Sequence, residues 1–258
     1  MKKYLLPVCT VVILVGCLGV LGVDYLTAHT REVVKSAVWE VLDRDSQNIG
    51  RQMNCLAREA TAQFVIEHMP KARAFPHKFA LLDYSLENVD PKINGLFCEF
   101  GVWKGETVNY IASKIEHPIH GFDSFEGLPE TWRTGFEEGA FKMTGLPPVR
   151  ENVKLYKGWF DESVPVWAAD HPGPISFIHM DADLYSSTKT VLDILGARIV
   201  PGTVIQFDEY FNYPGWQNGE YKAFREFAAE RQVEFEYLGY CYHSEQVAVK
   251  ILSIGRGD

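Results

Sequence analysis

The chain has 258 residues, 47% hydrophobic and 23% charged, with 25 Lys and Arg against 34 Asp and Glu for a formal net charge of −9. That composition excludes a disordered or fibrous chain and suits one well-buried domain with an appendage. No basic cluster or interleaved basic and aromatic stripe is present to follow a phosphate backbone, which excludes nucleic acid as a partner. Cys9, Cys17, Cys55, Cys98 and Cys241 include no C-x-x-C pair, so neither a disulfide framework nor a zinc site is expected.

Met1-Lys2-Lys3 precedes an uncharged run from Tyr4 to Val23, closed by Asp24. Such a run at about 1.5 Å per residue spans the roughly 30 Å hydrocarbon layer, so residues 1–24 are expected to be a single membrane helix. Leu21-Gly22-Val23 matches a signal-cleavage site poorly, which favours an uncleaved anchor. Leu14-Val15-Gly16-Cys17 also resembles a lipoprotein processing site, with Cys17 as the lipidated residue, but the apolar run continues past it. Lys2 and Lys3 only slightly outweigh Arg31 and Lys35, so the side of the membrane stays open.

Residues 25–92 carry apolar side chains at helical spacing, as in Val33, Val34, Ala37, Val38, Val41 and Leu42, then Phe64, Val65 and Met69, with Pro70, Pro76 and Pro91 as punctuation. These helices are expected to lead from the membrane into the domain and to cover the active site or form the face of a homodimer. Over residues 93–258 the pattern changes to short apolar strands separated by helices. Strands are expected at Leu96 to Phe100, Ile119 to Phe122, Val153 to Tyr156, Ile175 to Met180 and Thr203 to Phe207, with helices near Glu106 to Lys114, Ser186 to Leu195 and Glu220 to Arg231. Phe235 to Cys241 and Gln246 to Leu252 flank Tyr242-His243-Ser244-Glu245 as an antiparallel hairpin. The predicted fold is α/β, a doubly wound, mostly parallel Rossmann-like sheet with a C-terminal antiparallel hairpin, which suits a class I methyltransferase better than a dehydrogenase.

Within that pattern, Glu99-Phe100-Gly101-Val102-Trp103-Lys104-Gly105-Glu106-Thr107 reads as a buried strand breaking on glycine into a helix. A dinucleotide site wants G-x-G-x-x-G, but Val102 and Trp103 occupy the turn, and a bulky Trp103 argues against a pyrophosphate lying over it. S-adenosylmethionine, with a carboxylate and an ammonium in place of phosphates, remains compatible. Asp123, ending the next strand, stands where an aspartate accepts both hydroxyls of a ribose. The connection from Ser124 to Asn152 is too long for an ordinary loop and carries Trp132, Phe136, Phe141 and Met143, so a lid or binding loop and a packed surface excursion are both open.

Two further strands run out into Met180-Asp181-Ala182-Asp183-Leu184-Tyr185 and Phe207-Asp208-Glu209-Tyr210. Adjacent parallel strands end on the same side of a sheet, so these acids should converge beside the cofactor site and repel unless a proton or cation is shared. Oxygen ligands favour magnesium, manganese or calcium, and the expected ligands are Asp181, Asp208 and Glu209, with Asp183 in reserve or accepting from substrate. A metal-bound hydroxyl is more acidic and is held in line with a sulfonium methyl, which suits O-methylation. Asp181 or a neighbour is the candidate base; His179, two residues earlier on the same strand, is a second candidate, though a histidine inside an apolar strand is more often a hydrogen-bonded core residue.

Together these runs, with Gly121-Phe122-Asp123-Ser124-Phe125-Glu126-Gly127-Leu128-Pro129 and Gly158-Trp159-Phe160, resemble the macrocin O-methyltransferase family over roughly Gly95 to Leu252. The resemblance implies an S-adenosylmethionine-using, Mg²⁺-dependent enzyme acting on sugar hydroxyls of natural products. It implies Asp123 at the ribose and Gly101 with the following turn at the methionine end, with Glu99, Val102, Trp103, Gly105, Thr107 and Ser124 as the other expected cofactor-binding residues. It implies the metal on Asp181, Asp208 and Glu209. Leu184 stands where catechol-methylating enzymes place a lysine base, so that mechanism does not carry over. The N-terminal apolar run is foreign to soluble tailoring members, and a membrane-associated glycan is a further acceptor. Methylation of a phenolic or catecholic molecule, or cofactor binding without turnover in a membrane assembly, are the alternatives.

Overall fold

A computed structural model describes residues 32–40 and 47–255. The chain divides into two compact units, Met1–Gln52 and Met53–Asp258. In the first, residues 32–40 are helical and carry Val33, Val34, Ala37 and Val38, as their spacing predicts; Val41 and Leu42 lie outside the described residues. The apolar run 4–23, with Cys9 and Cys17, also lies outside them. Among the described residues no helix is long and apolar enough to cross a membrane.

A long helix α1 (Ile49–His68) leads into an eight-stranded sheet. The chain then runs β1 (Arg73–Phe75), α2 (Lys78–Glu87), β2 (Leu96–Phe100), α3 (Glu106–Ala112), β3 (Ile119–Asp123), β4 (Val153–Lys157), α4 (Phe160–Asp170), β5 (Ile175–Met180), α5 (Tyr185–Leu195), β6 (Ile199–Phe207), α6 (Glu220–Glu230), β7 (Val233–Cys241) and β8 (Val247–Ile254). The strand order is β1-β7-β8-β6-β5-β2-β3-β4. β8 pairs antiparallel with both β6 and β7, and every other pairing is parallel.

Every residue of β5 is buried, as a central strand covered on both faces requires. Side chains alternate across the sheet: Phe97 and Phe177 face one apolar cluster with Val108, Ile111 and Leu81, while Cys98, Phe100 and Ile178 face the other with Trp167, Leu192 and Phe224. From β2 the chain proceeds outward through β3 to β4 and then returns to β5 on the other side of β2. That reversal opens a crevice at the C-terminal ends of β2 and β5, where an open α/β sheet binds ligands.

Two elements went unread in the sequence. Pro165 inside α4 hid a helix whose Val164, Trp167 and Ala168 are buried. β1 has three residues between Pro70 and Pro76 and pairs with β7. Residues of α2, among them Leu81 and Leu82, pack in the same apolar cluster as Phe75 of β1.

On β3, His120 Nδ1 lies 3.1 Å from the indole N–H of Trp167, which donates to it, and 3.0 Å from the Tyr156 hydroxyl. Burial, then the neighbouring His171 and Lys154, push its imidazole down to about 4. The unfolded chain takes up this proton near pH 6.5 and the folded chain only near 4, so in that window the unfolded state binds more protons and stability falls as pH falls. Because other buried groups titrate in the same range, the check is a difference: the stability advantage of wild type over His120→Gln should be smaller at pH 5 than at pH 7 in thermal melts.

Candidate active site

The crevice begins at the turn after β2. Gly101 has φ +92° and Gly105, which precedes α3, has φ +79°. A Cβ on Gly101 would overlap the backbone carbonyl of Asp181, so only glycine lets the two strand ends approach this closely. Asp123 holds the turn: its Oδ2 accepts from Val102 N at 2.9 Å and Trp103 N at 2.7 Å, and its Oδ1 accepts from Phe125 N at 2.6 Å. The residue expected at the ribose thus already caps the loop, and a ribose would have to share its oxygens. Trp103, 41% exposed, lies edge-on to Phe141 at 5.3 Å and forms part of the wall without filling the space.

That space is a cavity of about 790 Å³, lined on one side by Gly101, Val102, Trp103, Thr107, Asp123 and Ser124 and on another by Asp181, Asp183, Asp208 and Glu209. The long connection 124–152 supplies a further wall through Leu128, Trp132, Arg133, Phe136 and Phe141, so it lines the site and is no mere excursion. Arg133 anchors it: the guanidinium bonds both oxygens of Glu245 at 3.1 Å and lies 3.8 Å from the centre of the Trp132 ring.

The acids at the ends of β5 and β6 do converge, in two overlapping sets. His179, Asp181 and Asp208 offer atoms within 4.8 Å of one another, as do Asp181, Asp183 and Glu209. The expected trio is therefore divided, with Asp181 common to both sets and Asp183 a full member of one. Burial, then Asp208, pushes the Asp181 carboxyl well above its ordinary range, and burial, then Asp181, does the same to Glu209. Asp208 Oδ1 and Glu209 Oε2 are buried without a hydrogen-bond partner. Crowded oxygens with unused lone pairs and excess negative charge fit a hard divalent cation.

Two expected site residues lie beneath the cavity. Glu99 and His179 are fully buried and absent from its lining. His179 stands between Glu99 and Asp208, with Nδ1 3.6 Å from Glu99 Oε1 and Nε2 3.6 Å from Asp208 Oδ1. Burial alone would lower its pKa, but Asp208 and Glu99 outweigh it and raise the imidazole to about 10. Enclosed beneath the cavity and absent from its lining, His179 is placed to orient Asp208 from below, away from where a substrate hydroxyl would lie. Gly105 also lies outside the lining and serves the backbone turn into α3.

Two residues escaped the sequence reading. Glu220, fully buried at the start of α6, accepts from Ala182 N at 3.2 Å and Thr188 Oγ1 at 3.3 Å through Oε1, and from Glu209 N at 3.1 Å through Oε2. It ties the two acid-bearing turns together; burial lifts its carboxyl to about 8 against the pull of those backbone donors. An acid directly after Gly219 looks like an ordinary first-turn helix residue, so no sequence signal marked it. Lys78, the first residue of α2, reaches the same rim, with Nζ 3.9 Å from Asp208 Oδ2.

The strand order, the switch-point crevice, the glycine turn and the antiparallel β7–β8 pair define a class I methyltransferase fold. Within that class the chain's likeness is to the macrocin-O-methyltransferase (TylF) family, whose sequence model matches residues 137–237, a span that holds the acids of β5 and β6 but starts after the glycine turn. The 8-demethyl-8-(2,3-dimethoxy-alpha-L-rhamnosyl)-tetracenomycin-C 4'-O-methyltransferase of Streptomyces olivaceus is 28% identical over 157 residues, 50% of this chain and 58% of that relative. This chain thus matches little more than half the length of that curated relative. Among solved structures, the calicheamicin methyltransferase superposes with a TM-score of 0.55 at 21% identity, covering 82% of this chain and 94% of that one. The O-methyltransferase NovP gives 0.51 at 20% identity, covering 67% and 80%. At these identities the likeness is one of fold.

Proposed function

We propose that this chain is an S-adenosylmethionine-dependent O-methyltransferase that methylates a hydroxyl of a saccharide or glycosylated natural product with the aid of a divalent cation. The observation that carries this reading is the placement of the glycine turn and Asp123 on one wall of a single cavity, with Asp181, Asp183, Asp208 and Glu209 on another. The Streptomyces relative, whose name describes a methyltransferase for a rhamnosyl tetracenomycin, supports a glycosylated acceptor.

In the transfer, the bond between the methyl carbon and sulfur breaks, the bond from the acceptor oxygen to that carbon forms, and the hydroxyl proton goes to a carboxylate. Asp181, common to both sets of acids, would hold the cation together with Asp208 or with Glu209, and the cation when bound would supply a Lewis acid that makes the hydroxyl more acidic. Asp183 is the proton acceptor. Its carboxylate faces the cavity, within 4.8 Å of Asp181 and Glu209 ligand atoms, and makes no hydrogen bond to the protein among the described residues. Glu220 fixes the spacing between the two acid turns, and His179 holds Asp208 from below. The Trp132, Phe136 and Phe141 rings offer flat apolar faces to a sugar and keep water from the sulfonium.

The test is transfer of labelled methyl from S-adenosylmethionine to a panel of rhamnosides and other glycosides, run beside catechols. Product on a glycoside that disappears with chelator and returns with Mg²⁺ is expected. Turnover indifferent to chelator removes the cation from the mechanism, and turnover on catechols alone replaces the acceptor class.

A further inference from the structure

We propose that the Lys78 ammonium receives the α-carboxylate of the cofactor's methionine moiety, which makes α2, ahead of the first strand of the crevice, part of the cofactor site. This rests on the reading of S-adenosylmethionine as donor.

Lys78 is held in place by its surroundings. Pro76 and His77 lead into α2, and the His77 side chain accepts from Ala80 N at 3.2 Å, fixing the helix start one residue before the lysine. The side chain is only 27% exposed and lines the cavity. Its nearest anionic oxygen, Asp208 Oδ2 at 3.9 Å, is beyond hydrogen-bond reach, and among the described residues its three N–H donors have no hydrogen-bonded acceptor. The ammonium is paired at a distance with Asp208 but its donors are unbonded, so an acceptor entering the cavity gains hydrogen bonds that the protein leaves unmade.

The other cations of the lining are otherwise disposed. Arg133 is committed to Glu245, and the exposed Lys104 rests over the Trp103 ring at 4.1 Å. Lys78 instead sits in the field of Asp208, Asp181, Glu106 and Glu209, between the acid rim and the start of α3. That is where the turn after β2 would place the amino-acid end of the cofactor. A zwitterion needs an anion for its ammonium and a cation for its carboxylate. Glu106, in the same lining and uncommitted to the cation, is available for the first, and Lys78 supplies the second.

Calorimetry on the full chain decides this with two ligands: S-adenosylhomocysteine, which carries the amino-acid end, and 5′-methylthioadenosine, which lacks it. In Lys78→Met the Kd for S-adenosylhomocysteine should rise about 10- to 100-fold, the range of one charge-assisted hydrogen bond, while that for 5′-methylthioadenosine stays within about threefold. Lys78→Arg keeps the charge and should lose less than about tenfold. Equal losses for both ligands, or no loss for S-adenosylhomocysteine, overturn the assignment. If Lys78→Met melts early, the ratio of the two affinities in Lys78→Arg, compared with wild type, still reads the contact. Failure of the wild-type chain to bind either ligand would instead sink the donor reading itself.

Discussion

Asp183→Asn should lower kcat by about 100- to 10,000-fold while leaving the Kd for S-adenosylhomocysteine within about threefold, because the amide keeps the shape of the side chain and cannot accept the hydroxyl proton. Among the described non-glycine residues with positive φ, Asp183 is the carboxylate. Asp183 has φ +59°, in a three-residue turn closed by Leu184 N donating to Ala182 O at 2.6 Å. A non-glycine residue held there costs on the order of 1–3 kcal/mol, a strain that persists where surrounding bonds over-determine it. Here Glu220 supplies that restraint through Ala182 N and Thr188. In that conformation the carboxylate lines the cavity beside Asp181 and Glu209. Single-turnover kinetics with saturating acceptor separates the chemical step from binding, and a wild-type rate in Asp183→Asn would move the proton to Asp181.

The second large effect is on the fold. Gly101→Ala should destabilise the chain by roughly 3 kcal/mol or more and abolish cofactor binding, since a methyl there meets the Asp181 carbonyl and neither strand end can retreat without breaking the bond from Asp181 N to Phe100 O at 2.8 Å. Gly135 is a built-in control. It shares φ +92°, but a Cβ there meets nothing within 4 Å. Gly135→Ala should therefore cost only the backbone term, about 1–2 kcal/mol. Urea unfolding of the two variants isolates the close approach of β2 and β5, and equal losses would remove it as the reason for glycine at 101.

Much of the sheet could be read directly from the chain because buried parallel strands are short apolar runs with clear ends, as Ile175–Met180 and Ile119–Asp123 show. The acids could be found as a group for the same reason: each follows a strand whose direction is fixed. Less legible was anything whose role depends on a partner distant in sequence. Glu99 looked like a cofactor ligand because it precedes the glycine turn, yet the pleat aims it at His179 under the cavity. Lys78 lay in what read as a linker, and only the pairing of β1 with β7 brings α2 to the rim.

Hydrophobic period and glycine placement by themselves determined the α/β architecture, the crevice at the ends of β2 and β5, and the set of acids that border it, because these follow from local conformation and strand direction. Tertiary structure decided how those acids divide around Asp181, that His179 is enclosed, that Asp123 caps the loop, and that Glu220 and Lys78 reach the site. Those outcomes depend on distances of 3 to 4 Å between residues tens to more than a hundred positions apart, which no local pattern encodes.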